Sequence, residues 1–99
     1  MLQVDKLKGV FNLRYEFKKY QFIYKLKILK LYCMDNYLSN AKILVYLDND
    51  KTARIGYNAY YKKFLINLYD NEKDRNLLKH ISVDTASEVY TLIKYSDIL

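Results

Sequence analysis

The stretch Lys63–Val83, KFLINLYDNEKDRNLLKHISV, decides the fold class of this chain. Its first half is ambiguous, because apolar residues between positions 57 and 69 recur at both helical and strand spacing. An internal repeat favours strands, since Lys42–Lys51, KILVYLDNDK, resembles Lys63–Lys73 with one insertion. Each copy is an apolar run followed by a polar turn, and aromatic and β-branched residues are typical of strands. We predict two strand–turn–strand units, with a helix over 57–69 as the open alternative.

The residues that follow predict a strand and then a helix. Leu77–Val83 forms the return strand of the second unit, with Leu77, Ile81 and Val83 on one face. Thr85-Ala-Ser-Glu88 has the spacing of a capping box. Beyond it, apolar residues stand at i, i+3, i+4 and i+7, which predicts an amphipathic helix to about Tyr95. Its buried face comprises Ala86, Val89, Tyr90 and Ile93.

Before the repeat, alternation of apolar and polar residues predicts a β-hairpin. Residues 11–17 and 20–28 both alternate with a period of two, and Lys18-Lys19 would be the turn between them. The parity breaks at Ile28-Leu29, where we expect a β-bulge. Polar residues within 34–40 predict a turn or one helical turn, and 48–50 predicts another turn.

These elements predict one α+β domain spanning residues 1–99. It is an antiparallel meander of about five strands with a C-terminal amphipathic helix packed on one face. The chain has 99 residues, 52% of them hydrophobic, which excludes intrinsic disorder. A single cysteine excludes a disulfide framework. No apolar run reaches about 18 residues, so we expect no membrane span, and we expect no signal peptide at residues 1–10.

The net charge of +6 resides in the first third of the chain. Residues 1–30 hold eight basic and two acidic residues, whereas residues 31–99 hold nine of each. Such a local excess indicates a surface for an anionic partner. The lysine excess has an alternative explanation in codon usage. Amino acids with AT-rich codons dominate the composition, with 14 Lys, 12 Tyr and eight Asn. That explanation does not account for the confinement of the excess to residues 1–30.

Residue types that carry catalysis are sparse. His80 is the only histidine, and the sequence places no partner that would orient it as a general base. Cys33 is the only thiol, so zinc ligation at set spacing is absent, and we expect it to be buried and inert. The two glycines stand alone, which excludes a glycine-rich phosphate loop.

Two acidic clusters contain residue types that bind metal ions in proteins. Residues 48–50, Asp-Asn-Asp, resemble the start of a calcium loop but lack its later glycine and glutamate. Asp70, Glu72 and Asp74 could hold magnesium for nuclease chemistry, although the neighbouring basic residues indicate a solvated hairpin tip. We predict a protein that is not an enzyme and that has no metal site and no cofactor.

The basic residues of the predicted hairpin are the candidate binding site for a nucleic acid or a protein partner. Several of them would lie on the outward face of the first two strands and contact phosphates. The alternative is an ordinary polar outer face of a sheet, with lysines that protect its edges. The candidate residues are Arg14, Lys18, Lys19, Lys25, Lys27 and Lys30.

The C-terminal forty residues carry a resemblance to a known group of proteins. Residues 60–99, YYKKFLINLYDNEKDRNLLKHISVDTASEVYTLIKYSDIL, resemble the strand–turn–strand–helix ending of small proteins from crenarchaeal filamentous viruses of the lipothrixvirus and rudivirus groups. The resemblance implies a thermostable viral accessory protein in the cytoplasm of a hyperthermophilic archaeal host. Some small proteins of this broad kind resemble anti-CRISPR inhibitors, which bind a host effector. Those are acidic, whereas this chain is basic in its first third.

The leading hypothesis is therefore a non-enzymatic viral accessory protein that binds a host or viral protein and antagonises a host defence effector. The alternative is a nucleic-acid-binding module that uses the basic N-terminal hairpin. Two further hypotheses stay open: a metal-dependent nuclease, and a homodimer that forms through an edge strand.

Overall fold

The computed structural model describes residues 10–12 as backbone, and residues 19–37, 39–47, 51–71, 73 and 76–95. Its elements, in chain order, are β1 Val10–Asn12, α1 Lys19–Asp35, β2 Ile43–Tyr46, β3 Thr52–Asn58, β4 Lys63–Tyr69, β5 Leu77–Val83 and α2 Ala86–Tyr95.

The strands form one sheet in the order β1-β2-β3-β4-β5. Strands β2 to β5 are an antiparallel meander, in which Ile55 of β3 pairs with Ile43 on one side and Ile66 on the other. The three residues of β1 lie parallel to β2. A parallel pair needs a crossover connection, and α1 lies in that connection. The α+β class is confirmed, and the antiparallel meander has four strands rather than about five.

Both copies of the internal repeat form strand–turn–strand units, as predicted. The first is β2 and β3, where the Leu47 N–H donates to the Lys51 carbonyl across the turn at 2.8 Å. Residues 48–50 themselves lie outside the described residues. The second copy is β4 and β5, so the strand prediction for 63–69 is correct. Residues 57–58 end β3, and 59–62 form the β3–β4 turn.

The turn between β3 and β4 contains the one non-glycine residue with positive φ in the described part of the chain. Lys62 has φ 56°, in the left-handed region that L residues enter at a cost. The side chain of Asn58 supports the turn, because its Oδ1 accepts the Tyr61 N–H at 3.0 Å.

One face of the sheet carries the core, and both helices pack on it. Alternate residues of β2, β3 and β4 point into this face, and α1 and α2 contact each other above it. The fully buried large side chains of the core are Phe22, Phe64, Leu26, Leu29, Ile43, Ile55, Ile66, Val45 and Val89. No helix in the described residues is long and apolar enough to cross a membrane.

Helix α2 forms as the sequence predicts. Thr85 caps it: Thr85 Oγ1 accepts the Glu88 N–H at 3.2 Å and donates to Glu88 Oε1 at 2.9 Å. The four predicted core residues are its buried residues: Ala86, Val89, Tyr90 and Ile93. The helix therefore lies on one face of the sheet, as expected.

The predicted N-terminal hairpin is wrong. Residues 20–28, expected as its second strand, belong to the 17-residue helix α1, and the expected bulge at Ile28-Leu29 lies within the same helix. The first strand was expected over 11–17; residues 11–12 belong to β1, and 13–18 lie outside the described residues. The core residues of α1 are Phe22, Leu26, Leu29 and Cys33, at the four- and three-residue spacing of one helix face.

The cap of α2 predicts the effect of a substitution at Thr85. Thr85→Ala leaves the Glu88 N–H without its side-chain acceptor, so the free energy of unfolding should fall by about 1 kcal/mol. Urea denaturation measures it, with Ser87→Ala, an exposed position in the first turn of the helix, as the control. Equal stability of the two variants would contradict the cap.

The strained turn predicts a stabilising substitution. Lys62→Gly relieves the left-handed conformation and should raise the free energy of unfolding by up to about 1 kcal/mol. The matched control is Tyr61→Gly, whose φ is not positive, and which should lower it. A loss of stability in Lys62→Gly as large as in Tyr61→Gly would show that residue 62 is not left-handed in solution.

Candidate functional site

The single histidine lies on the exposed part of the sheet, with an amide for its partner. His80 stands in β5 opposite Asn67 of β4, and its Nδ1 is hydrogen-bonded to Asn67 Oδ1. An amide oxygen orients the ring but offers no nucleophile or charge. Among the described residues, no group of three or more His, Cys, Asp and Glu side chains could hold a metal ion.

Of the three acidic residues that could hold magnesium, the structure describes one, Asp70. Asp70 follows β4, and its Oδ2 accepts a long hydrogen bond of 3.4 Å from Asn76 Nδ2. Its backbone N–H donates to the Asn76 carbonyl across the β4–β5 turn. Glu72 and Asp74 lie outside the described residues. Asp70 thus holds the turn together through its side chain and its backbone.

Cys33 is buried, as expected, on the inner face of α1 with 2% of its surface exposed. Burial raises the pKa of its thiol above the ordinary value of 9.0. A hydrogen bond with Ser39, the charge of Lys42 and a backbone hydrogen bond at Tyr57 act in the opposite direction but do not outweigh burial. The thiol is therefore protonated at neutral pH, and a protonated thiol is a poor nucleophile.

The candidate basic residues do not form one patch. Arg14 and Lys18 lie outside the described residues, and the other four are on α1. At 100° per residue, Lys25 and Lys27 point about 160° apart around the helix, so they cannot share a face as the hairpin would have required. Lys19 and Lys30 lie on a common side, but each ammonium is placed over a tyrosine ring of the core.

Those two cation–π contacts attach α1 to its neighbours. Lys19 Nζ lies 5.4 Å from the ring centroid of Tyr90 in α2. Lys30 Nζ lies 5.8 Å from that of Tyr57 in β3. Each contact contributes roughly 0.5–1 kcal/mol at an exposed site. Both lysines thus contribute to the packing of the helix as well as to its charge.

The most unusual feature of the surface is a second apolar row on α1. We call it the outer row; its members are Tyr20, Tyr24, Lys27, Leu31 and Met34. Their spacing of four, three, four and three residues is that of the contact seam of a coiled coil. All five directions fall within about 40° of that of Tyr20, and the row is about 21 Å long.

The outer row is open to solvent over its whole length. The exposed fractions are 85% for Tyr20, 63% for Tyr24, 57% for Leu31 and 43% for Met34. The opposite side of the same helix is the core row that begins at Phe22 and ends at Cys33. Four large apolar side chains exposed along one side of a helix, with Lys27 between them, are typical of an interaction site.

The edge strand β5 is a second segment with exposed aliphatic side chains. Leu77 and Leu78 are 56% and 49% exposed. The pairing of β4 with β5 is shifted at Leu68 and Tyr69, which leaves Leu78 as an extra residue in β5. A bulge and a lysine, Lys79, are features by which an edge resists pairing with another strand. Homodimer formation through this edge stays a prediction.

Sequence reasoning missed the outer row because it placed residues 20–28 in a strand of a hairpin, with Tyr20 and Tyr24 on the buried face of that hairpin. One signal could have revealed it. Positions 22, 26, 29 and 33 have helical spacing, and so do 20, 24, 31 and 34. Two interleaved helical rows on opposite sides of one helix produce the alternation that resembles a strand.

We compared the chain with family models, curated proteins and solved structures, and none of them matches it.

The buried thiol predicts how stability depends on pH. Above pH 9 the unfolded chain releases the Cys33 proton while the folded protein keeps it, so stability should fall as pH rises past 9. The raised pKa values of Tyr57 and Tyr90 add to this loss above pH 10. Urea denaturation at pH 7, 9 and 10 checks it, and Cys33→Ala should lose less stability than the parent protein between pH 9 and pH 10. A folded protein whose thiol titrates below pH 9 would contradict this.

Proposed function

We propose that this protein is a non-enzymatic binding protein whose outer row docks onto a helix of a partner protein. The observation that carries the proposal is the exposure of four large apolar side chains at coiled-coil spacing on a helix whose opposite side is anchored in the core. A helix fixed in this way is a rigid docking surface, because its conformational entropy is already lost on folding.

The free energy of burying apolar surface favours docking of the outer row over its exposure to solvent. Burying the outer row removes apolar surface from water at about 25 cal/mol per Å². Tyrosine supplies a large contact area with few rotatable bonds, which is why it is frequent at interfaces. Helices that meet through seams of this spacing cross at about +20° and interlock their side chains.

For the biological setting of this binding activity we start from the resemblance of residues 60–99 to small proteins of archaeal filamentous viruses. On that basis we propose a viral accessory protein in the host cytoplasm. Its partner would be a host or viral protein, in the first instance a component of host defence. A protein that acts by occupying a partner's surface needs no catalytic group, which agrees with the hydrogen-bonded amide partner of His80 and the protonated thiol of Cys33.

The nucleic-acid alternative depends on the charge of residues 1–30. The described lysines do not favour it, because they are spread around α1 and two of the four lie over tyrosine rings of the core. Binding of this kind weakens steeply with salt, and its salt dependence decreases when phosphate-contacting lysines are removed.

Affinity capture tests the proposal. Tyr24→Ser combined with Leu31→Ser removes the centre of the outer row at exposed positions, so it should change the free energy of unfolding by less than about 0.5 kcal/mol. It should also abolish the capture of a specific partner from nuclease-treated host lysate. The matched control is Leu77→Ser combined with Leu78→Ser on β5, which should leave that capture unchanged.

A photo-crosslinking side chain at position 31 identifies the segment that contacts the row. The proposal predicts a cross-link to one helical segment of the captured protein. It is contradicted if the β5 variant loses the partner and the outer-row variant retains it. It is also contradicted if nuclease treatment removes everything that the parent protein captures.

A further inference from the structure

The centre of the outer row is occupied by a charge. Lys27 is exposed and lies one turn from Tyr24 on one side and one turn from Leu31 on the other. A helix that covers these two apolar residues also covers the ammonium between them. Taking an ammonium out of water costs several kcal/mol unless an opposite charge pairs with it. The position of Lys27 therefore constrains what can dock.

The rest of the helix carries the same sign. Within Lys19–Asp35 there are four lysines and a single acidic residue, Asp35, at the C-terminal end. Lys30 and Lys19 flank the row on one side at the ring contacts described above. The positive electrostatic potential of these lysines does not attract a basic or neutral surface, whereas it attracts and orients an acidic one.

From this we infer that the docking partner is an acidic amphipathic helix, with a carboxylate placed opposite Lys27. The inference rests on the proposed function and names the chemistry of its partner. The apolar residues of the partner helix pack between those of the outer row. Its central glutamate or aspartate pairs with the Lys27 ammonium, and that pair fixes the register, as single polar residues do within coiled-coil seams.

A second copy of the chain is the less favourable occupant. The row is nearly symmetric about Lys27, because Tyr20 and Met34 each stand seven residues from it, and Tyr24 and Leu31 stand three and four residues from it. Two copies in matched register, parallel or antiparallel, therefore bring Lys27 against Lys27. Each copy also carries a net charge of +6. Like charges across an interface cost several kcal/mol.

Two designed peptides of three heptads test the inference. Both have leucine at the a and d heptad positions, except at one central position. The acidic peptide has glutamate at that central position and at every e and g position. The basic peptide has lysine at the same positions. Each is unfolded alone because its like charges repel. Calorimetry gives the dissociation constants, and circular dichroism reports the helix formed on binding.

The acidic peptide should bind the parent protein about tenfold more tightly than the basic peptide does. Lys27→Glu should reverse that preference. The matched control is Lys73→Glu in the β4–β5 turn, which changes the net charge equally and should keep the preference for the acidic peptide. A preference that Lys27→Glu and Lys73→Glu weaken equally would overturn the inference, because the attraction would then depend on net charge alone.

Leu31→Ser separates this inference from the proposed function. If both peptides bind equally and Leu31→Ser abolishes both, helix docking stands and the acidic partner is overturned. If the acidic peptide binds Leu31→Ser as well as it binds the parent, or if neither peptide binds, both the inference and the proposed function are overturned.

Two other occupants of the outer row are tested with the same variant. A dimer in sedimentation that Leu31→Ser dissociates would identify a second copy as the occupant. Binding to anionic lipid vesicles, lost in the same variant, would identify a membrane surface; either result overturns the inference.

Discussion

The inner row of α1 consists of its buried residues, Phe22, Leu26, Leu29 and Cys33. The packing of this row against the sheet is the contact on which the rest of the structure depends. Phe22, Leu26 and Leu29 are fully buried, and this row meets β3 beneath it and α2 beside it. A four-stranded antiparallel meander has one face to cover, and a ten-residue α2 spans only about 15 Å of it. Without α1, the part of the apolar face that α2 does not cover would be open to water.

This packing also determines which surface the protein presents. Because the inner row fixes the rotation of α1 about its axis, the outer row must face away from the sheet. The cation–π contacts of Lys19 and Lys30 also fix this rotation, since each holds one side of the helix over a tyrosine ring of the core. The exposure of the outer row therefore results from the orientation of the helix and not from the flexibility of individual side chains. Its apolar members are Tyr20, Tyr24, Leu31 and Met34.

Much of the fold was predictable from the sequence where each element has a single buried face. The apolar run at Ile43–Tyr46 and the periodicity of Ala86–Tyr95 each produce one clear pattern. In Leu77–Val83 the strand is correct, but Leu77 does not share a face with Ile81 and Val83, because the bulge at Leu78 sets it opposite Tyr69. Helix α1 has two apolar rows, so its pattern lacks a preferred side and was assigned to a hairpin. The candidate site followed the same error: Lys25 and Lys27 were expected on one face, and Tyr24 was expected in the core.

The central claim is that α1 is apolar on two opposite sides, one buried and one exposed. Hydroxyl-radical footprinting of the free protein, read residue by residue across 20–34, tests it most directly. The structure predicts fast modification of Tyr20, Tyr24, Leu31 and Met34, and protection of Phe22, Leu26, Leu29 and Cys33. Equal protection of Tyr20, Phe22, Tyr24 and Leu26, which would share one face in a strand, would contradict it.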